Sequence, residues 1–223
     1  IFLLGLSFTI VYFKRTYNAV VDDPTLESFT KSAQNLTGSL IAFQPAGNGM
    51  TGLSQTEYNH LVYMREEEKL AQDVYQFLYQ KWNLSIFNSI AQSEQRHTSV
   101  MAKLLQKYNI PDPALNKAAG TYQNQHIANL YQQLTTKGQI SVLEALKVGA
   151  LIEEVDINDL NTAISQTTKA DIVNSYSRIQ NGSYHHLRAF VHGIELYGQK
   201  YQAQVLSQAK VDQIISSALI NIQ

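Results

Sequence analysis

Four long stretches of this chain carry apolar residues at alternating steps of three and four, and each is interrupted near its middle by polar side chains. A repeat of this kind predicts amphipathic helices whose apolar stripes face a common core. A carboxylate or imidazole on such a stripe is costly to bury without a partner. The interruptions must therefore satisfy one another, and they are Glu68, Glu94 with His97, Glu153, and Ser183 with His186.

The second stretch carries its polar residues as Glu94-x-x-His97. Its apolar stripe runs through Ile90 and Met101, and Glu94 and His97 occupy the two stripe positions between them. A step of three residues puts both side chains on the same helix face. The short motif alone is a weak signal, because any long helix can contain it by chance. Because both residues lie on the apolar stripe, their side chains are expected to face the core.

The same periodicity predicts four long helices and a short last one, over about residues 55–82, 85–108, 139–165, 169–198 and 205–220. Ser54 and Glu57 form a capping-box pattern ahead of the first helix. The connections run short, long and short, and the long one, over residues 109–138, has room for a short helix of its own. The second and third long helices are then parallel. The predicted fold class is all-α, a four-helix bundle with one long crossover.

The polar interruptions lie near the middle of each helix and are expected to meet in one layer of the bundle. Four carboxylates would be balanced in charge by two divalent cations, and carboxylate and imidazole ligands suit iron, manganese or zinc. The alternative is a set of unrelated polar core residues that fix helix register. The predicted metal ligands are Glu68, Glu94, His97, Glu153, Asp156 and His186.

Residues beside the predicted ligands receive different interpretations. Glu66 and Glu67 are expected to be solvated, and Glu154 turns about 100° away from the core face. Tyr75 follows Glu68 by two helical turns on the same face. It is the candidate catalytic residue, as an electron donor or a hydrogen-bond partner, and the alternative is a core aromatic.

The motifs resemble those of a known superfamily. Glu68-x6-Tyr75, Glu94-x-x-His97 and a glutamate on the third helix are similar to ferritin and rubrerythrin-type di-iron carboxylate proteins. A closer resemblance is to an uncharacterised bacterial and archaeal branch, domain of unknown function 2202. It rests on YMREEEKLA at 63–71, SEQRH at 93–97, IEEVDI at 152–157 and HLRAF at 186–190. The resemblance, over about residues 53–200, implies a ferritin-like fold and no established reaction.

One position departs from the pattern of the superfamily. The fourth helix usually carries a second Glu-x-x-His whose glutamate bridges two metals, and here that position is Ser183. Asp156 is expected to replace the missing carboxylate, as a second carboxylate on the third helix does in rubrerythrin-type proteins. The alternatives are a site for one metal, or for two metals bound loosely.

The amino-terminal residues are a separate apolar segment. Ile1 to Phe13 are nearly all apolar, Lys14-Arg15 ends the run, and thirteen residues are fewer than the about 20 that span a bilayer. Segment 1–15 is interpreted as the end of a membrane anchor, a signal remnant, or an assembly element that forms a homo-oligomer or filament. Residues 16–53 are predicted as a linker and residues 54–223 as the bundle. The expected location is the cell envelope or the exterior of a prokaryote.

Composition narrows the classes of function. A net charge of −1 gives no basic surface for nucleic acid, and the absence of cysteine excludes disulfides and thiolate metal sites. Two hypotheses follow. The first is a metal-binding protein, with iron as the expected cofactor, that handles iron or acts as a di-iron-type oxidoreductase on oxygen or peroxide. The second is a non-catalytic structural subunit, tethered or polymerised through Ile1–Arg15.

Overall fold

The computed structural model describes residues 52–217, which form six helices and, over that range, no strand. Segment 1–15 and nearly all of the predicted linker 16–53 lie outside the described residues. The all-α fold class predicted from the periodicity is confirmed. The helices are α1 (Gln55–Trp82), α2 (Ser85–Lys107), α3 (Gln125–Gly138), α4 (Val142–Ser165), α5 (Ala170–Leu196) and α6 (Gln208–Ser216).

Helix α1 begins at the predicted capping box. The Ser54 hydroxyl accepts from the Glu57 N–H at 3.1 Å, and the Glu57 carboxylate accepts from the Ser54 N–H at 2.7 Å. The exchange satisfies two of the free N–H groups at the helix start. The helix ends at Asn83, whose φ of 51° is the left-handed cap conformation.

The relative directions of α1 and α4 follow from three contacts. At one end Thr167, just after α4, donates to Glu57 at 2.6 Å. At mid-length Tyr75 meets Glu153, and at the other end Trp82 Nε1 donates to the carbonyl of Gly138, just before α4, at 2.8 Å. Helices α1 and α4 therefore run antiparallel.

Helices α2 and α5 also run antiparallel. Tyr108, at the end of α2, donates to Asp171 in the first turn of α5 at 2.9 Å, and Phe87 near the start of α2 stacks on Phe190 with ring centroids 5.9 Å apart. The two residues between α1 and α2 leave room only for a reversal of direction. Helices α2 and α4 consequently point the same way, as the short, long and short connections predict.

The start of the third long helix differs from the prediction. The predicted start is about residue 139, whereas Gly138 ends α3 and α4 begins at Val142 after the N-cap Ser141. Gly138 allows a close approach of two helices, because a Cβ there would lie 2.6 Å from Leu78 Cδ2. The absence of a side chain at Gly138 thus serves the packing of α3 against α1.

The prediction that Glu66 and Glu67 are solvated is wrong, whereas Glu154 points off the core face as predicted and is covered there by a later segment of the chain. Their exposed fractions are 1%, 5% and 0%. Glu66 accepts from the backbone N–H groups of Gln123 and Asn124 at 2.5 and 2.9 Å, so the long crossover covers the outer face of α1. The physical reason is that buried loop N–H groups need acceptors, and these carboxylates provide them.

Glu154 does the same for the segment before α6. Its carboxylate accepts from the Tyr201 hydroxyl at 2.5 Å and from the N–H groups of Gln204, Val205 and Leu206 at 3.0, 2.9 and 2.7 Å. One carboxylate therefore fixes the path of the chain across the outside of α4.

Within residues 52–217, no helix is long and apolar enough to cross a membrane.

Candidate metal centre

Five of the predicted ligands meet where the middles of α1, α2, α4 and α5 approach one another. They form two groups of three, in each of which the candidate ligand atoms lie within 4.8 Å of one another. One group contains Glu68, Glu94 and His97, and the other contains Glu94, Glu153 and His186. Glu94 belongs to both groups, so a single carboxylate stands between two potential cation positions.

The two oxygens of Glu94 contact different histidines. His97 Nδ1 lies 2.7 Å from Glu94 Oε2 and 3.3 Å from Glu68 Oε2. On the other side, His186 Nδ1 lies 2.7 Å from Glu94 Oε1 and 3.4 Å from Glu153 Oε2. The imidazole rings are 5.6 Å apart between centroids. Each side of the arrangement thus has two carboxylates and one imidazole nitrogen.

Several of these buried atoms have no hydrogen-bond partner. They are Glu68 Oε1, Glu94 Oε1 and His186 Nδ1. The last two are close in space, but their relative direction is not that of a hydrogen bond. Two ligands of one cation, each at about 2.0–2.2 Å, lie about 3 Å apart when the bond angle is near 90°. Buried acceptors at this separation without a donor fit a shared cation.

The electrostatics of the centre are dominated by Glu94 and the two histidines. Burial raises the pKa of Glu94, but the close contacts with His186 and His97 and the charges of these residues outweigh it and bring that pKa down to about 2. Burial lowers the pKa of both imidazoles. Their carboxylate neighbours outweigh this and raise the pKa of His97 to about 11 and that of His186 to about 10. Without a cation, both imidazoles therefore hold protons that a bound metal would displace.

The other carboxylates resist ionisation. Burial raises the pKa of Glu68 to about 7 against the lowering effect of His97, and burial also raises the pKa of Glu153. The charge of Glu94 adds to the effect of burial, because like charges in a dry interior disfavour the ionised form. Added positive charge at this point would relieve the repulsion.

Tyr75 contacts the centre through Glu153. Its hydroxyl donates to Glu153 Oε1 at 2.5 Å and lies 3.3 Å from the carbonyl of Gly149, while its ring, fully buried, stacks on Phe190 with centroids 5.3 Å apart. Tyr75 therefore holds Glu153 in orientation. The geometry favours the hydrogen-bond role among the interpretations of this residue.

Asp156 lies beside the two groups and belongs to neither. The Ser183 hydroxyl donates to Asp156 Oδ2, and Asp156 Oδ1 has no hydrogen-bond partner. Burial, then the charges of Glu68 and Glu153, raise the pKa of Asp156 well above its usual range. The carboxylate on α4 thus reaches position 183 of α5 and accepts a hydrogen bond from the serine there.

Gly182 is a residue of the centre that the sequence interpretation missed. A Cβ at this position of α5 would lie 2.6 Å from His97 Nε2 and 2.8 Å from His97 Cε1. Glycine inside a helix costs about 1 kcal/mol relative to alanine. The available signal was a glycine within a strong helical pattern, which indicates a close approach.

Replacing Gly182 with alanine is expected to push the His97 ring away from Glu94. Metal affinity should fall by about tenfold or more, the scale seen when a residue that orients a ligand is lost. Calorimetric titration with Co²⁺ would measure it. The matched control is Gly193→Ala on the same helix, where the new Cβ would meet Leu146 at 3.2 Å and the affinity should not change. Equal affinities in the two variants would contradict a ligand role for His97.

Comparisons with known proteins identify the family of this chain. The model of the uncharacterized protein domain DUF2202 matches residues 57–218. The chain is 47% identical over 166 residues to the uncharacterized protein MJ0754 of Methanocaldococcus jannaschii, covering 74% of this chain and 90% of that protein. It is similar to the crystal structure of hypothetical protein MJ0754, with a TM-score of 0.73, 45% identity and coverage of 77% of this chain and 98% of that one. The chain belongs to the DUF2202 family.

Proposed function

We propose that this domain is a ferritin-like four-helix bundle that binds two metal ions between its long helices. The antiparallel pairs α1–α4 and α2–α5, and the common direction of α2 and α4, support this architecture, because a bundle with one long crossover requires them. Metal sites in such bundles are built from inward-facing glutamates and histidines on facing helices.

The observation that carries the proposal is the position of Glu94. Each of its oxygens lies 2.7 Å from the Nδ1 atom of a different histidine. The first ion would be held by Glu68, Glu94 and His97, and the second by Glu94, Glu153 and His186. A carboxylate shared in this way keeps both ions at a fixed separation.

The donor set favours iron. Oxygen and imidazole ligands without a thiolate suit iron, manganese or zinc, and the burial of the site suits a redox metal that must be shielded from water. Bound iron would supply electron transfer to oxygen or peroxide, in an oxidoreductase or in the handling of iron itself. Manganese or zinc are the other outcomes of a metal measurement.

The chain's own contribution is orientation and exclusion of water. Tyr75 fixes Glu153 by its hydrogen bond and is proposed as the nearby electron donor. Phe87 and Phe190, both fully buried, stack on one another beside it and leave an apolar wall at this side of the site. Such a wall limits side reactions with solvent.

Metal analysis of the purified protein tests the proposal. We expect two ions per chain, by elemental analysis and by anaerobic titration with Fe²⁺, and a change in the visible spectrum when air or peroxide is added. A protein that binds fewer than two ions would contradict the two-metal assignment. Two ions with no spectral response to either oxidant would contradict the redox role.

A further inference from the structure

A line of carboxylates extends from the metal centre along α4. Glu153, Asp156 and Asp159 follow one another at steps of three residues over about 9 Å, and each step turns the side chain by about 60° around the helix. Their exposure increases along the line. Glu153 is 1% exposed, Asp156 is 6% exposed and Asp159 is half-buried.

Helix α1 adds two groups to the outer part of this line. The carboxyl group of Glu67 interacts directly with that of Asp159, and Tyr63 lies one turn before Glu67 on the same face. Both side chains are buried, with exposed fractions of 5% and 8%. Glu67 thus connects the half-buried Asp159 with the buried interior.

The buried polar atoms along the line have no partners. Glu67 Oε2, Asp156 Oδ1 and the Tyr63 hydroxyl make no hydrogen bond, although buried oxygens of this kind are almost always paired. The basic residues two positions on either side of Glu67 do not neutralise it. Arg65 pairs with Asp112 and Lys69 pairs with Asp73. The line therefore presents unpaired oxygen ligands to a species that brings positive charge.

We propose that Asp159 and Glu67 form an outer binding site for hydrated divalent cations, from which Asp156 passes them to the metal centre. The route rests on the proposed two-metal function, since it ends at Glu153 and Glu68. Carboxylate oxygens suit such a transfer, because they can replace the water molecules bound to a hydrated cation one at a time.

Stopped-flow mixing of the metal-free protein with Co²⁺ tests the route. The visible absorption of Co²⁺ changes when histidine coordinates it, so the signal reports arrival at His97 and His186. We expect Asp159→Asn and Glu67→Gln to slow arrival by about tenfold or more, the lower end of the range for electrostatic focusing. The number of ions that finally reach the metal centre should remain that of the wild type, because neither residue belongs to the two groups of candidate ligands there.

The matched control is Glu195→Gln, which removes one negative charge from an exposed position near the end of α5. Its uptake rate should equal that of the wild type. Equal rates for Asp159→Asn and the wild type would overturn the route. If the wild type itself took up no Co²⁺, the proposed metal function would fail instead. Should Glu67→Gln not fold, the half-buried Asp159 decides the matter alone.

Discussion

Replacing Glu94 with glutamine should abolish tight binding of both metal ions. Glu94 is the one carboxylate common to both groups, and its two oxygens contact His97 and His186. A metal ion at a free concentration of about 100 times its Kd would stabilise the wild type by roughly 3 kcal/mol. This corresponds to about 5–10 °C in Tm for a domain of this size. The variant should lose nearly all of that gain, with affinity reduced more than about a hundredfold.

The control for this loss is Glu154→Gln. Glu154 is equally buried and adjacent to Glu153, but it accepts hydrogen bonds from the segment before α6 and not from the centre. The control should lower the Tm of the metal-free protein, since unsatisfied buried groups cost about 1–3 kcal/mol each. Its metal-induced shift in Tm should persist. Thermal melts with chelator and with Mn²⁺ measure both effects, and a Glu94→Gln variant with the wild-type shift would contradict the shared-ligand assignment.

Helix positions and the polar layer were predictable because they depend on local periodicity. The bounds predicted for α1, about 55–82, agree with Gln55–Trp82 since Ser54 and Glu57 mark the start and Asn83 the end. Glu68 and Glu94 were found because a carboxylate on an apolar stripe violates the pattern of its own helix. Such a signal can be recognised without knowing how the helices pack against one another.

The outer faces of the helices were not predictable in the same way. Periodicity places Glu66 and Glu154 off the apolar stripe, but it does not show that connecting segments cover and bury both of them. Which face a loop crosses depends on contacts distant in sequence. The charge pattern also hid Glu67, since three consecutive glutamates resemble a solvated surface, whereas this one faces Asp159 on α4.

The position of Asp156 beside the metal centre could not be predicted from local sequence either. The sequence predicts that Asp156 replaces a missing metal ligand. In the structure Asp156 accepts a hydrogen bond from the Ser183 hydroxyl on α5 and lies outside both groups of candidate ligands. Only the packing of α4 against α5 decides between these arrangements. Substitution of Ser183 therefore tests the role of Asp156.

Replacing Ser183 with glutamate should destabilise the metal-free protein and tighten its binding of metal. Ser183 is 1% exposed and donates to Asp156, so the variant removes a donor and adds a carboxylate to a buried acidic cluster. An uncompensated buried charge costs about 3–5 kcal/mol, and the variant should melt lower than wild type in chelator. In the proposed two-metal centre the new carboxylate would lie one turn from His186, where it would be available to both ions. Added Fe²⁺ or Mn²⁺ should therefore raise its Tm by more than it raises that of the wild type.

The matched control is Ser183→Gln, which has nearly the same volume as Ser183→Glu and no charge. Both variants should suffer from crowding at this buried position, but the amide is a poor ligand and relieves no charge when a cation binds. Metal titration followed by thermal melts then separates charge from size. A larger metal-induced gain in the glutamate variant alone would support a missing bridge. Equal stoichiometry and equal stabilisation in wild type and both variants would reject it, and would leave Asp156 as the replacement ligand or the bundle as a scaffold without metal.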